Sequence, residues 1–410
     1  MTWFTRAAAL LALVTTAPGI ACETGLYRTA DSRDAVAISR NASGALRYLF
    51  IDGRRGTVGD GMLTCAEGAL RSDDGRSWFQ TPLATGDVKF TSHGTTLSGR
   101  LITHPDGPRP LVVMVHGSER TSPRTSFYPF VLAGLGLNVF LYDKRGTGES
   151  EGEYTQNFEL LADDAAAALN EAKRAAAGHF TKAGFFGGSQ GGWVAPLAAT
   201  RSPAEFVVVG FGLMVSPLDE DKQQVLSEMR EKGYGEPDLT QAEEVSDAAG
   251  QLVASHFASG FEQVAAIKQR YSAKPWFGQI EGEFTGDIMR MSDSDLHRVG
   301  AALFDNLELI WDYDAVASLR KVNAPQLWIL AEEDREAPSK ASLARLTDLR
   351  DKGSNISIYS FPATDHGMAE FNEAADGTRT YGRITDGYFR LVGDWINGST
   401  GTGYGRGRRH

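Results

Sequence analysis

Positive charge is in short supply in this chain. Across 410 residues, 41 Lys and Arg stand against 52 Asp and Glu, a formal net charge of −11. A nucleic-acid binder needs a basic footprint, so no nucleic-acid partner is expected. Long apolar runs are missing too: past residue 21, no stretch is long and apolar enough to span a membrane. Cysteine occurs only at Cys22 and Cys65, which leaves room for a single disulfide. There is no internal repeat. Apolar residues are not scarce. The chain is 42% hydrophobic and 23% charged, ordinary for a globular protein, and long enough for one large core with an appendage or two modest ones.

The N-terminus reads as an export signal. Arg6 precedes the short apolar stretch AAALLALV, and PGIA ends on small residues at Gly19 and Ala21. Residues 1–21 are therefore expected to be a signal peptide, and the product secreted or periplasmic. Cleavage after Ala21 makes Cys22 the first mature residue. Two fates follow. Either Cys22 is lipidated, although Gly19 stands where a lipobox usually has leucine, or it pairs with Cys65. The even cysteine count of an exported chain favours the disulfide.

Residues 22–85 hold short strand-like pieces and turns, with hairpin signals at Asp52-Gly53 and Asp74-Gly75. They read as a small β-rich N-terminal domain. The pattern changes at residue 86. VKFTS and LSGRLIT flank His93-Gly94 as a hairpin. LVVMVHG, NVFLYD, AGFFGG, EFVVVGFG, PQLWIL and NISIYSF follow, several of them apolar on both parities, like strands covered on both faces of a parallel sheet. Helical stretches separate them. In FELLADDAAAALNEAKRAAA, Phe158, Leu161, Ala165, Leu169 and Ala172 share one face. This alternation predicts a doubly wound α/β sheet over residues 86–396. It breaks at about 217–311, a charged helical insertion expected to cap the strand ends. The Gly-rich, basic stretch 397–410 reads as a disordered tail.

Gly187-Gly188-Ser189-Gln190-Gly191 matches G-x-S-x-G, with a strand before it and a small-residue helix after it, the setting of a nucleophile elbow. Bulky side chains at 187, 191 or 192 would clash with the turn, so the glycines leave Ser189 standing alone at a helix N-terminus. The competing reading is a phosphate-binding turn, which is weaker because no dinucleotide or Walker pattern surrounds the glycines. Pro196 should weaken or kink the helix. A serine nucleophile needs a base. Of eight histidines, His366 in FPATDHGMAE follows the last strand and can swing over Ser189. The base needs a carboxylate to fix its tautomer. APQLWILAEEDREAP supplies Asp334, with Glu333 as the alternative, whereas Asp365 adjoins His366 and cannot easily fold back on its ring. Backbone N–H groups of Gln190, just after the nucleophile, and Ser118, in VMVHGSERTSPR, are expected to form an oxyanion hole. Asp143, Arg145 and the glycines of YDKRGTGESEG suit a hydrogen-bonded turn beneath the site, and nothing supports a substrate-facing Lys144.

HGS, YDKRGTGES, GGSQGG, YDAVASLRKVNAPQLWILAEED and ATDHGM, with the chain order Ser189, Asp334, His366, make residues 86–396 resemble the α/β-hydrolase superfamily. Within it they look like the serine esterase and serine aminopeptidase-like (S33-type) group. The resemblance implies a mostly parallel eight-stranded sheet, a helical cap over an acyl pocket and a serine triad, with no metal and no cofactor. The residues depart from the pattern in two loops. HGSERTSPR replaces HGGG and brings Arg120 or Arg124 within reach of a substrate, and AEED replaces a Gly-containing acid loop.

The expected function is hydrolysis of a small-molecule carboxylic ester through an acyl-enzyme. The alternative is a serine peptidase or aminopeptidase acting on short peptides, with acids such as Glu281 and Glu283 holding an ammonium. A non-catalytic binding protein is a third reading, and the intact triad speaks against it. Phe257, Phe261, Tyr271, Trp276 and Phe277 either shape the acyl pocket or, as aromatics at helical spacing usually do, pack the cap's own core.

Overall fold

The computed structural model describes residues 22–410 except 33 and 42, so the expected signal peptide lies outside the described residues. Seven short strands come first: β1 (Gly25–Arg28), β2 (Ala35–Arg40), β3 (Leu46–Phe50), β4 (Arg55–Thr57), β5 (Leu63–Ala66), β6 (Ala69–Ser72) and β7 (Ser77–Gln80). They form one sheet in the order β4-β3-β2-β1-β7-β6-β5. The turns at Asp52-Gly53 and Asp74-Gly75 join β3 to β4 and β6 to β7, with φ of 94° at Gly53 and 84° at Gly75. Both faces of the sheet are covered. Leu26, Ala35, Ala37 and Leu49 join the core beneath the main sheet, while Val36, Ile38, Phe50 and Trp78 pack a cluster of their own. Cys22 and Cys65 form a disulfide, with Cα atoms 5.8 Å apart, which leaves no thiol at Cys22 for a lipid.

The main sheet has nine strands, in the order β19-β15-β14-β13-β12-β10-β11-β9-β8. At one edge, β8 (Ala84–Ser92) and β9 (Thr95–Thr103) form the expected antiparallel hairpin about His93-Gly94. The centre is parallel: β10 (Arg109–Val115), β11 (Asn138–Tyr142), β12 (Phe180–Gly188), β13 (Val207–Gly210), β14 (Gln326–Ala331) and β15 (Ile356–Phe361). After β15 come β16 (Thr364–Asp365), β17 (Ala369–Glu373) and β18 (Arg379–Ile384), a small sheet of three strands. The ninth strand is β19 (Arg408–Arg409), antiparallel to β15. The disordered tail expected at 397–410 is therefore corrected. Tyr404 is 2% exposed and its hydroxyl donates to Asp394 at 3.0 Å, so one aromatic anchors a segment whose glycine content points the other way.

Helices cover both faces of this sheet. On one face lie α1 (Tyr128–Gly134) and α11 (Tyr388–Asn397). On the other lie α2 (Phe158–Ala175), α3 (Gly191–Ala199), α9 (Ala315–Leu319) and α10 (Ser339–Asp351). The predicted face of α2 is buried, and Asn157 caps its N-terminus by accepting from the Leu160 amide at 3.2 Å. Pro196 lies inside α3, which nevertheless continues to Ala199. Between β13 and α9 run α4 (Pro217–Glu231), α5 (Glu236–Ala254), α6 (Phe261–Tyr271), α7 (Thr285–Arg290) and α8 (Asp293–Phe304), with a core of their own around Val245, Trp276 and Ile288. No helix among the described residues is long and apolar enough to cross a membrane.

Candidate active site

Ser118, Ser189, Gln190 and Asp334 follow the carboxyl ends of the parallel strands β10, β12 and β14, where open α/β sheets place their ligands, and His366 comes from the small sheet that follows β15. Ser189 joins β12 to α3 with φ of 51°, a left-handed conformation that is costly for a residue with a Cβ. The bend is held by the backbone: Ser189 N–H donates to Gly210 at 3.3 Å, and Gly192 N–H to Ser189 at 2.7 Å. Its glycines answer to close approach. A Cβ on Gly187 would lie 2.4 Å from the Gly191 carbonyl oxygen, and one on Gly191 would lie 2.4 Å from that of Val115. The loop after β10 passes just as near, since a Cβ on Gly117 would stand 3.3 Å from the Ser189 Cβ.

Asp334 follows β14 and His366 follows β16. His366 Nδ1 lies 3.0 Å from Asp334 Oδ2 and 3.1 Å from Oδ1, and the latter also accepts the Ala337 amide at 2.8 Å. Asp334 is the carboxylate on the ring. Glu333 turns away and accepts from the Ala363 amide at 3.1 Å. Asp365 braces the loop instead, accepting from the His366 and Arg335 amides at 2.7 and 2.9 Å and from Arg379 at 2.6 Å. The edge-to-face ring of Phe211, 5.1 Å between centroids, supports the imidazole.

With Nδ1 engaged, His366 Nε2 is the free nitrogen. It lies 3.4 Å from Glu336 Oε2, and no hydrogen bond joins it to Ser189 Oγ among the described residues. Such bonds are often long in ligand-free enzymes and tighten when substrate arrives. Burial lowers the proton affinity of His366. The Asp334 hydrogen bond and the charges of Asp334, Glu336 and Asp365 outweigh burial and hold its pKa above the ordinary value.

Ser189 and His366 line a cavity of about 270 Å³, shared with Ser118 and Gln190. A second hollow of about 530 Å³ meets the same serine and histidine from the side of Met114, Tyr128, Phe186 and Phe211. The Ser118 and Gln190 amides donate to no other group among the described residues, so both stay available to a ligand.

Glu220, Glu283 and Glu336 also line the smaller cavity, and no Lys or Arg does. Burial, then the neighbouring carboxylates, raises the pKa of Glu220 well above the usual range; burial and Glu336 lead the rise at Glu283. Glu281 instead pairs with Arg290 at 3.3 Å, outside the cavity lining. Glu220 and Glu336 carry a signal of position in the sequence. One opens the insertion just past β13, and the other stands two residues beyond Asp334.

The five cap aromatics singled out in sequence do not line the cavity. They pack in or against the core of the inserted helices, and the cavity takes Phe284, Phe304 and Trp311 instead. Arg124 is tied down by Asp87 at 2.6 Å and Ser98 at 2.9 Å. Arg120 lies over the Tyr154 ring at 4.5 Å. Asp143 accepts from Ser122 at 2.5 Å, and Arg145 clasps Asp164 at 2.6 and 2.7 Å, so YDKRGTG is a braced turn under the site.

Residues 106–230 match the family model described as serine aminopeptidase, S33. No curated protein matches the chain in sequence. Among solved structures, an esterase of Pyrococcus furiosus is similar at 15% identity, over 70% of this chain and 85% of that one, with a TM-score of 0.43. An acylaminoacyl peptidase of Pyrococcus horikoshii is 17% identical over 84% of this chain and 46% of its own, also with a TM-score of 0.43. An α/β hydrolase from a Penicillium species is 16% identical over 70% of this chain and 92% of that one, again at 0.43. Likenesses this distant carry no substrate across. The family match spans β10 to α4, the stretch that contains the Ser118 loop and the Ser189 bend, and this stretch is similar to that family of α/β hydrolases.

Proposed function

We propose that the protein is an exported serine hydrolase that cleaves carboxylic esters through an acyl-enzyme. The observation that carries this reading is that His366, held by Asp334, lines the same cavity as Ser189. Ser189 Oγ attacks the acyl carbon while His366 Nε2 takes its proton. The oxyanion rests on the Ser118 and Gln190 amides, donors worth about 3–4 kcal/mol each in related chemistry. The imidazolium gives its proton to the departing alkoxide. A water, deprotonated by His366, then attacks the acyl-enzyme, releasing the carboxylic acid and returning the proton to Ser189. Export is supported by the Cys22–Cys65 bond, since disulfides persist in oxidising compartments.

A second reading has its own support. Three acidic side chains around a cavity lined by no Lys or Arg favour a ligand that brings a cation, as a peptide N-terminus would. Rates on p-nitrophenyl esters of increasing acyl length, run beside aminoacyl p-nitroanilides, decide between the two. Preference for uncharged esters supports the first reading. Preference for aminoacyl anilides, with KM raised about 10-fold or more in Glu220→Gln or Glu283→Gln, overturns it in favour of the second.

The pH profile has a fixed sign. The base must be neutral, so kcat/KM for an uncharged ester falls as pH drops through the raised pKa of His366. Glu336→Gln removes one charge that holds this pKa up. Its acid limb is expected at lower pH than that of the wild type, and a limb that stays in place counts against contact between Glu336 and the ring.

A further inference from the structure

Lys144 stands two residues after the end of the strand β11 and is 3% exposed. Its Nζ donates to the Gly117 carbonyl at 2.6 Å. That carbonyl shares a peptide unit with the Ser118 N–H. The unit is planar and trans, so its C=O and N–H point in opposite directions, and fixing one fixes the other. The next carbonyl, of Ser118, is held by the Tyr154 hydroxyl, and the Tyr154 ring lies under the Lys144 ammonium at 5.0 Å. Thr147 accounts for the other end of Lys144, its amide and hydroxyl donating to the Lys144 carbonyl at 2.9 and 2.8 Å.

We propose that Lys144 is a positioning residue for the oxyanion hole. Its ammonium pins the Gly117–Ser118 peptide so that the Ser118 N–H faces the acyl oxygen, and by polarising that peptide it makes the N–H a stronger donor. A charged donor on a buried carbonyl forms the stronger kind of hydrogen bond, and bonds in series reinforce one another. The proposal rests on the reading of Ser118 as an oxyanion donor.

The charge on Lys144 is conditional. Burial lowers its pKa to about 8, Glu119 opposes the fall and Arg120 adds to it. The other groups facing it are Tyr154 and His116; burial, then Lys144 itself, pushes the His116 pKa down. Asp143, next in sequence, is committed to Ser122 and Arg124. A neutral amine still fits the site but loses the charge assistance, so kcat should decline as pH rises through about 8.

The test is the kcat profile of the wild type from pH 6 to 10 on an uncharged p-nitrophenyl ester, with thermal unfolding followed at each pH, beside Lys144→Met and Lys144→Arg. The wild type is expected to lose about 10-fold along an alkaline limb near pH 8. Lys144→Met should lose about 10- to 100-fold in kcat with little change in KM, and its alkaline limb should vanish. Lys144→Arg should recover part of the rate and show no limb near pH 8. A wild-type profile flat to pH 10 overturns the proposal even if neither variant folds, as does a limb that persists in Lys144→Met. Hydrolysis that survives in Ser189→Ala would strike the serine-hydrolase reading itself, and Lys144 would fall with it.

Discussion

Ser189→Ala is expected to abolish ester hydrolysis, lowering kcat by at least about 10⁴-fold, with a residue set by binding and the oxyanion hole. The other hydroxyls that line the two cavities, on Ser118, Thr121, Ser122, Thr125, Ser126 and Tyr128, all come from the segment after β10 and not from the bend between β12 and α3. The fold should survive the change. Alanine keeps the Cβ that the φ of 51° already accommodates, and the bend hangs on backbone bonds to Gly210 and from Gly192. Steady-state rates on p-nitrophenyl butyrate, with Tm for each protein, check both halves. An unfolded variant or a rate within about tenfold of the wild type would go against this account of the bend.

Asp334→Asn is the second large effect, with an expected loss of about 10⁴-fold in kcat. The Asn side chain is nearly the same size, so the packing near Ala337 should hold. The damage is electronic. A carboxylate 3.0 Å from Nδ1 keeps the proton on that nitrogen and leaves Nε2 free to accept one from Ser189. An amide removes the negative charge that stabilises the imidazolium, and its NH₂ can hold the wrong tautomer. Glu333→Gln, one residue earlier, should stay within about threefold of the wild type, because Glu333 serves only the Ala363 amide. The pair of variants separates the two acids in one assay. Equal losses, or a larger loss at Glu333, would reassign the acid.

The parallel strands were legible because a strand buried on both faces must be apolar at every position, as in VVMV and WIL. The bend at Ser189 was legible because close backbone approach tolerates only glycine at 187 and 191. Asp334 could be narrowed to a loop but not separated from Glu333 by pattern. Only the direction of each side chain decides between neighbours, and that depends on the tether of Arg379 to both the Glu333 carbonyl and Asp365. Lys144 was read with the turn it belongs to, since nothing in YDKRGTG shows that its ammonium reaches back to the carbonyl at Gly117. The tail misled for a different reason. Composition averages over a segment, whereas order at 397–410 comes from the single buried ring of Tyr404 and the two-residue pairing with β15. The acids at 220 and 336 are far apart in sequence, and only the fold makes them face the same space.

The most direct test of the central claim is covalent. A fluorophosphonate reacts with a serine only where a base takes its proton and donors hold the developing negative charge. After incubation, intact mass and peptide mapping should find one adduct, on Ser189, absent from Ser189→Ala and much slower to form in Asp334→Asn. Labelling that persists in Ser189→Ala, or a wild-type protein that stays unmodified, would contradict the assignment of Ser189 as a nucleophile activated by His366.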